Sequence, residues 1–305
     1  MKALVISGGG SKGAFAGGVS EFLIRECKQE YEIFVGTSAG SLLIPLLAID
    51  QVERIREVFT NVSQDDIFNI NPFLIEKRRG IYETSINHMG ILKMFLKGRK
   101  TFGESLNLRN LIRKMLREDD FKLIKSGKPE VFITVSNISY NRVEYKSAKE
   151  CSYEDFCDWM WASANVIPFM SLLTKNGFEY ADGGLGNVVP LFRAIEKGAT
   201  EIDVIVLKAA SPAIKKKPAQ NALELTARAF DFMLNQIETD DITIGRMEGI
   251  QNHVTLNFYQ PTEDLTTNSL IFEPEKMKQW WVNGYEYAKQ NNPKCRTIKP
   301  KDKTS

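Results

Sequence analysis

Two apolar runs near the start of the chain, Ala3–Ser7 (ALVIS) and Glu32–Val35 (EIFV), are each followed by a glycine-rich turn and then by apolar residues at helical spacing. Short, nearly unbroken apolar runs fit strands buried on both faces, whereas spacings of three and four fit a helix with one buried side. A helix is expected over Gly13–Cys27, where Phe15, Val19, Phe22, Leu23 and Cys27 share a face, and another over Ser38–Ile49. Strand–helix–strand–helix at this spacing predicts a right-handed parallel unit, with both connecting loops at the carboxyl edge of the sheet.

Beyond this unit, Gln51–Val62 continues helical, Ser63–Thr101 is less regular and reads as a cap over the core, and Glu104–Glu118 is an amphipathic helix. Glu130–Ser139 and Arg142–Lys146 alternate as strands, Tyr153–Ala164 is a helix, and Leu172–Tyr180 reads as a hairpin turning on Asn176-Gly177. A helix over Leu191–Lys197, a strand over Ile202–Leu207, a helix over Ala222–Glu238, a strand over Val254–Phe258 and a closing helix over Glu275–Gln290 complete the expected order. No internal repeat or low-complexity linker divides the chain, so one α/β domain over 1–305 is expected.

Composition changes this picture little. With 305 residues, 43% apolar and 26% charged, the chain is an ordinary globular one. A net charge of +2 is too close to balance to point to nucleic acid. The segment from Pro293 onward concentrates Lys294, Arg296, Lys299, Lys301 and Lys303 against Asp302, and reads as a solvated, flexible basic tail over 293–305, with weak attraction to anionic lipid as the minor alternative. Cys27, Cys151, Cys157 and Cys295 show no C-x-x-C spacing, so reduced thiols are expected rather than zinc or a disulfide framework. A strand begins at once, with no basic and apolar leader, and no apolar run is long enough to span a bilayer. A soluble, cytoplasmic protein is expected.

Candidate chemistry gathers at the predicted carboxyl edge. Gly36-Thr37-Ser38-Ala39-Gly40 is G-x-S-x-G between a strand and a helix, where a sharp turn presents the serine hydroxyl and flanking glycines make room for it. A serine nucleophile needs a base and an oxyanion site. The two histidines, His88 and His253, sit in the irregular segment and at the beginning of a strand, whereas a triad histidine follows a strand; both read as surface or partly buried residues. Asp182, followed by Gly183 and Gly184, is the other candidate base, against the plainer reading of an Asp-Gly turn; burial can raise an aspartate's pKa enough for the task.

Gly8, Gly10 and Gly13 spell G-x-G-x-x-G after the first strand, the pattern of a dinucleotide turn. That reading needs an acid at the end of the second strand, where this chain has Gly36-Thr37-Ser38; Glu32 stands at the start. A phosphate loop fails too, because Ala14 follows Gly13. The run Gly8, Gly9, Gly10 can instead present backbone N–H groups to an oxyanion, with Gly9 and Gly10 the preferred donors.

With GGGSKG, GTSAGS and DGG in this order, the chain resembles the patatin-like phospholipases, a family of lipid acyl hydrolases, over roughly Lys2–Leu207. The resemblance implies a three-layer α/β/α sandwich with a mostly parallel central sheet and metal-independent, cofactor-free chemistry. It makes Ser38 the nucleophile, Asp182 its only partner in a Ser–Asp dyad, and Gly8, Gly9, Gly10 and Gly13 the oxyanion loop, with Gly36 and Gly40 shaping the elbow. Lys12, Ser163, Pro168, Asn187 and Pro190 also fit the family pattern, whereas Asn165-Val166 and Phe169-Met170 depart from its small residues. The implied reaction is hydrolysis of phospholipid or other glycerolipid esters through an acyl-serine. Acyl transfer to another alcohol is the alternative, and a non-catalytic lipid-binding protein a third reading.

Ser85–Lys100 sets Ile86, Met89, Leu92, Phe95 and Leu96 beside Lys93, Lys97, Arg99 and Lys100. This is either an apolar stripe packed on the core or a basic amphipathic helix in peripheral contact with a membrane. Trp280 and Trp281 are core or interfacial on the same logic, and Lys215–Lys217 is a solvated charge run.

Overall fold

The computed structural model describes residues 1–78, 81–210, 218–219 and 222–292. The basic tail, Cys295 and Lys215–Lys217 lie outside the described residues. Strand β1 (Lys2–Ile6) leads through the glycine loop into α1 (Gly13–Glu21), which widens into a π-helical turn over Phe22–Glu26; β2 (Ile33–Thr37) leads into α2 (Ala39–Leu47). Then come α3 (Val52–Asn61), α4 (Gln64–Ile67), β3 (Phe73–Arg78), β4 (Ile81–Ile86), α5 (His88–Leu96), α6 (Leu106–Met115) and α7 (Glu118–Ser126). The second half holds β5 (Glu130–Asn137), β6 (Arg142–Ser147), α8 (Tyr153–Ser163), β7 (Leu173–Lys175), β8 (Phe178–Asp182), α9 (Leu191–Glu196), β9 (Glu201–Ile205), α10 (Ala222–Gln251), β10 (Thr255–Tyr259) and α11 (Pro274–Asn291).

Strands β10, β9, β1, β2 and β5 are parallel neighbours in that order, and β6 and β8 pair antiparallel with β5. Alternate side chains face opposite layers. Leu4, Ile6, Phe34, Val131 and Ile133 pack in the core that includes residues of α1, α2, α3, α6, α8 and α11. Ala3, Val5, Ile33, Val35 and Phe132 pack in the other, with residues of α9 and α10. Burial on both faces is why these strands read as apolar runs. The result is an α/β/α sandwich with a mostly parallel sheet.

Helix α11 lies against α1 with little space between them: a Cβ on Gly17 would stand 2.1 Å from Trp281, and one on Gly284 2.1 Å from the Phe15 carbonyl. Trp280 and Trp281 are both buried, so both belong to the core.

Several elements differ from the sequence-based expectation. The irregular segment contains an antiparallel pair, β3 with β4, and the helix α5. Helix α7 has no counterpart in the expected order; with nine residues it is too short to carry a strong periodic signal. Helix α10 runs on past Glu238 to Gln251 through Thr239, Asp240, Asp241 and Thr243, residues of low helix propensity. Packing of Ile237 and Ile242 on the sheet, and close contact of Gly245 with Leu191, override that propensity. The Asn176-Gly177 turn is as expected, with φ of 53° and 81°.

The cysteine expectation is corrected in part. Cys151 and Cys157 are free, buried thiols, but Cys27 is disulfide-bonded. Sequence spacing reveals only local cysteine pairs, and a pairing between distant segments depends on the fold. Among the described residues, no helix is long and apolar enough to cross a membrane.

Candidate active site

Strand β5 brings the motifs together. Its residues 132–137 pair with β6 on one edge, so β2, at 130–134, and β8, at 135–137, must share the other. They run in opposite directions and end against each other: Thr37 is opposite Thr134, and Asp182 opposite Val135.

Ser38 follows Thr37 with φ 53° and ψ −119°, a left-handed, strained conformation for a residue with a side chain. Close packing around the turn holds it there. A Cβ on Gly36 would lie 2.5 Å from the Gly40 carbonyl carbon, and one on Gly40 2.2 Å from the Ile6 carbonyl oxygen. The Ser38 amide donates to Ser163 Oγ at 3.0 Å, and α2 starts at the next residue, directing its positive end at the site.

Asp182 is 4% exposed. Its Oδ1 accepts from the Gly184 amide at 2.7 Å, whereas buried Oδ2 has no hydrogen bond of standard geometry. Burial pushes the Asp182 pKa up to about 7; the Gly184 amide and then the Ser38 hydroxyl oppose that rise. The Ser38 hydroxyl is therefore near enough to act on the carboxyl without closing a full hydrogen bond. Such contacts are often loose in unliganded sites and tighten with substrate. Gly183 fits because a Cβ there would meet the Thr134 carbonyl oxygen at 2.4 Å.

The glycine loop lies alongside, a Cβ on Gly8 falling 3.3 Å from Ser38 Cβ. Its four glycines are not equivalent. The Gly8 amide donates to the Val188 carbonyl at 3.0 Å, and the Gly13 amide is bonded back to Gly10 and Ser11. The amides of Gly9 and Gly10 donate to nothing among the described residues. Gly10 has φ +56°, and its α-carbon faces the Ser269 carbonyl so closely that a Cβ would stand 2.2 Å from the oxygen. Lys12 leaves the loop towards α10: partial burial lowers its pKa, and Glu238 is the foremost acid opposing that shift.

Two connections support the site that sequence reasoning did not assign. Ser163 and Asn165 form one: besides Ser163 holding the Ser38 amide, the Asn165 carbonyl accepts from the Asp182 amide at 3.0 Å. The family pattern singled out Ser163, but nothing in the sequence revealed the role of Asn165. The second is Asp241 of α10. It accepts from Asn187 Nδ2 at 2.7 Å and from the Val189 amide at 2.9 Å, pinning the segment after the DGG motif. That segment accepts from Thr37 Oγ1 through the Asn187 carbonyl at 3.0 Å, and from the Gly8 amide through the Val188 carbonyl. Asp241 thus steadies both neighbouring loops. Burial raises its pKa to about 6.

Neither histidine joins the site. His253 is exposed and precedes the parallel strand β10, which puts it at the amino edge of the sheet, opposite Ser38; His88 is exposed at the start of α5. Among the described residues, no group of three or more His, Cys, Asp or Glu side chains is placed to hold a metal. Beside Ser38 and Gly10 opens a pocket with an almost wholly apolar wall, formed by Leu42, Val58, Leu108, Met115, Val166 and Met170 among others. Val166 and Met170, which depart from the small residues of the family pattern, therefore shape this pocket.

The sequence matches the family described as patatin-like phospholipase over residues 4–195, more than half of the chain. Among solved structures, VipD from Legionella pneumophila aligns with a TM-score of 0.49 at 14% identity, over 95% of this chain and 66% of VipD, so the chain spans just under two thirds of that protein. No curated protein matches the sequence.

Proposed function

This chain belongs to the patatin-like phospholipase family, and on that premise we propose that it is a serine acyl hydrolase cleaving fatty-acyl esters of phospholipids or other glycerolipids. Ser38 is the nucleophile and Asp182 its base. What favours this pair over a histidine triad is the buried Asp182 carboxyl, whose pKa is near neutrality and whose Oδ2 has no other hydrogen-bond partner among the described residues, while both histidines stand on the surface.

In the first step Asp182 takes the Ser38 proton as Oγ attacks the ester carbonyl. The developing oxyanion is met by the Gly9 and Gly10 amides, which are unused in the resting site, and by the α2 N-terminus. Each such donor is typically worth about 100- to 1,000-fold in rate. Asp182 then returns the proton to the departing alcohol, leaving an acyl-serine. Water, deprotonated by Asp182, releases the fatty acid and regenerates Ser38. The apolar pocket beside Ser38 suits a hydrocarbon chain and supports the acyl specificity.

The direct test is labelling with a fluorophosphonate followed by peptide mass spectrometry, then a phospholipid panel with product identification. Adduct on Ser38 and release of free fatty acid are expected. Absence of labelling in folded protein would refute a nucleophilic serine, and an acylated alcohol in place of free acid would identify transfer rather than hydrolysis.

A further inference from the structure

The helix α5 carries its apolar residues on the wrong side for a core helix. Ile91 and Met94 point inwards and are buried, but Met89 is 75% exposed, Leu92 51%, Phe95 63% and Leu96 81%. Spacings of three and four place these four on one stripe of the helix. A contiguous exposed apolar stripe of this kind marks a contact surface rather than ordinary scatter.

The chemistry beside the stripe identifies what it contacts. Lys93 and Lys97, one turn apart, lie between the stripe and the buried face, and among the described residues they are the charged side chains lining a groove of about 350 Å³. The asparagines of that groove are occupied with backbone: Asn69 Oδ1 accepts from the Leu106 amide, Asn71 Oδ1 from Phe73 and Asn87 Oδ1 from Gly90. The lysines make no ion pair among the described residues, whereas nearby Arg99 and Lys100 are paired with Glu104 and Glu179. Apolar stripe and free cations together fit acyl chains below and phosphates above.

The helix also connects to the reacting centre. The Phe95 ring lies 6.0 Å from Phe102, and Phe102 lies 5.9 Å from Phe169, between the pocket-lining Val166 and Met170. The Phe102 amide also donates to the Pro168 carbonyl at 2.7 Å.

We propose that α5 docks this protein on an anionic phospholipid bilayer, inserting Met89, Leu92, Phe95 and Leu96 with Lys93 and Lys97 on headgroup phosphates, and holding the Ser38 pocket against the surface. The proposal rests on the lipid-hydrolase reading for its substrate, but docking itself needs no chemistry. Peripheral helices of this type gain from buried apolar area and from each basic residue near an anionic surface.

The test is co-sedimentation with vesicles of phosphatidylcholine, and of phosphatidylcholine mixed with phosphatidylglycerol, alongside hydrolysis of a water-soluble p-nitrophenyl ester. Wild-type protein and Ser38→Ala should both bind the mixed vesicles, and less so at high salt. Met89→Asp with Leu96→Asp, and separately Lys93→Glu with Lys97→Glu, should each weaken binding roughly tenfold or more while leaving soluble-ester turnover unchanged. Vesicle binding by both double variants at wild-type strength, or none by the wild type, overturns the proposal. So does a Leu96→Asp variant that changes the oligomeric state by light scattering while vesicle binding persists, since the stripe would then join copies of the chain. Binding without hydrolysis of either ester defeats the hydrolase reading and leaves docking standing.

Discussion

Thr37 and Asp182 end their strands at consecutive positions along one edge of β5, opposite Thr134 and Val135. Two strands running towards each other leave no room for a further ladder residue, so the chain must turn out of the sheet at both ends. Ser38 does so in a left-handed conformation, and Asp182 is followed by the close-packed Gly183. The meeting of Ser38 and Asp182 is thus a consequence of sheet register.

Replacing Ser38 with Ala should reduce ester hydrolysis at least about a thousandfold, as for other nucleophilic serines. Among the described residues its hydroxyl closes no hydrogen bond of standard geometry, so thermal unfolding followed by circular dichroism should stay close to the wild type.

Asp182 predicts opposite effects on activity and stability. In the unfolded chain its carboxyl titrates near 3.9, in the folded protein at about 7. Between these values the folded state holds the extra proton, so this group's contribution to stability falls as pH rises. Above pH 7 the buried charge costs up to about 4 kcal/mol. Asp182→Asn should therefore lose at least about a hundredfold in kcat, yet melt higher than wild type at pH 8, with the gap closing towards pH 4. Wild-type kcat/KM should rise with pH through about 7 as Asp182 ionises.

Asp241 accepts two N–H groups at once, and an asparagine can accept only one of them. Asp241→Asn should loosen the segment that steadies Gly8 and Thr37. Misplacement of this kind lowers kcat by about ten- to a hundredfold. KM for a soluble ester should change little, and separate determination of kcat and KM decides it.

Gly10→Ala should both destabilise the protein and impair turnover. Its φ of +56° is strained for alanine, a cost of about 1–3 kcal/mol, and the added Cβ would meet the Ser269 carbonyl. Chemical denaturation and initial rates measure the two effects.

His253→Ala should leave hydrolysis unchanged, because His253 sits at the far edge of the sheet. Loss of activity there, with full activity in Asp182→Asn, would falsify the dyad in favour of a triad.

Much of this was legible without coordinates. The strand–helix order of the first fifty residues, the elbow at Ser38 and the exclusion of a dinucleotide turn follow from local chemistry. Apolar runs report two-sided burial, and the glycines occur where a side chain has no space. The order of the three motifs was enough to indicate the family. The length of α10 was not legible, because its threonines and aspartates oppose a helix that only packing on β10 and Leu191 sustains.

Sequence by itself therefore determined the family and the strands that the GGGSKG, GTSAGS and DGG motifs follow. Tertiary structure alone decided that the Gly8 and Gly13 amides are tied to backbone carbonyls, that Asp241 braces the site from 54 residues beyond Asn187, and that the α5 stripe faces outwards. Cys27 belongs with these, its disulfide correcting the expectation of a thiol. The division has one physical cause: residue type and spacing encode local backbone geometry and burial, whereas the partner of a given amide, carboxylate or thiol depends on which distant segment the fold brings within bonding distance.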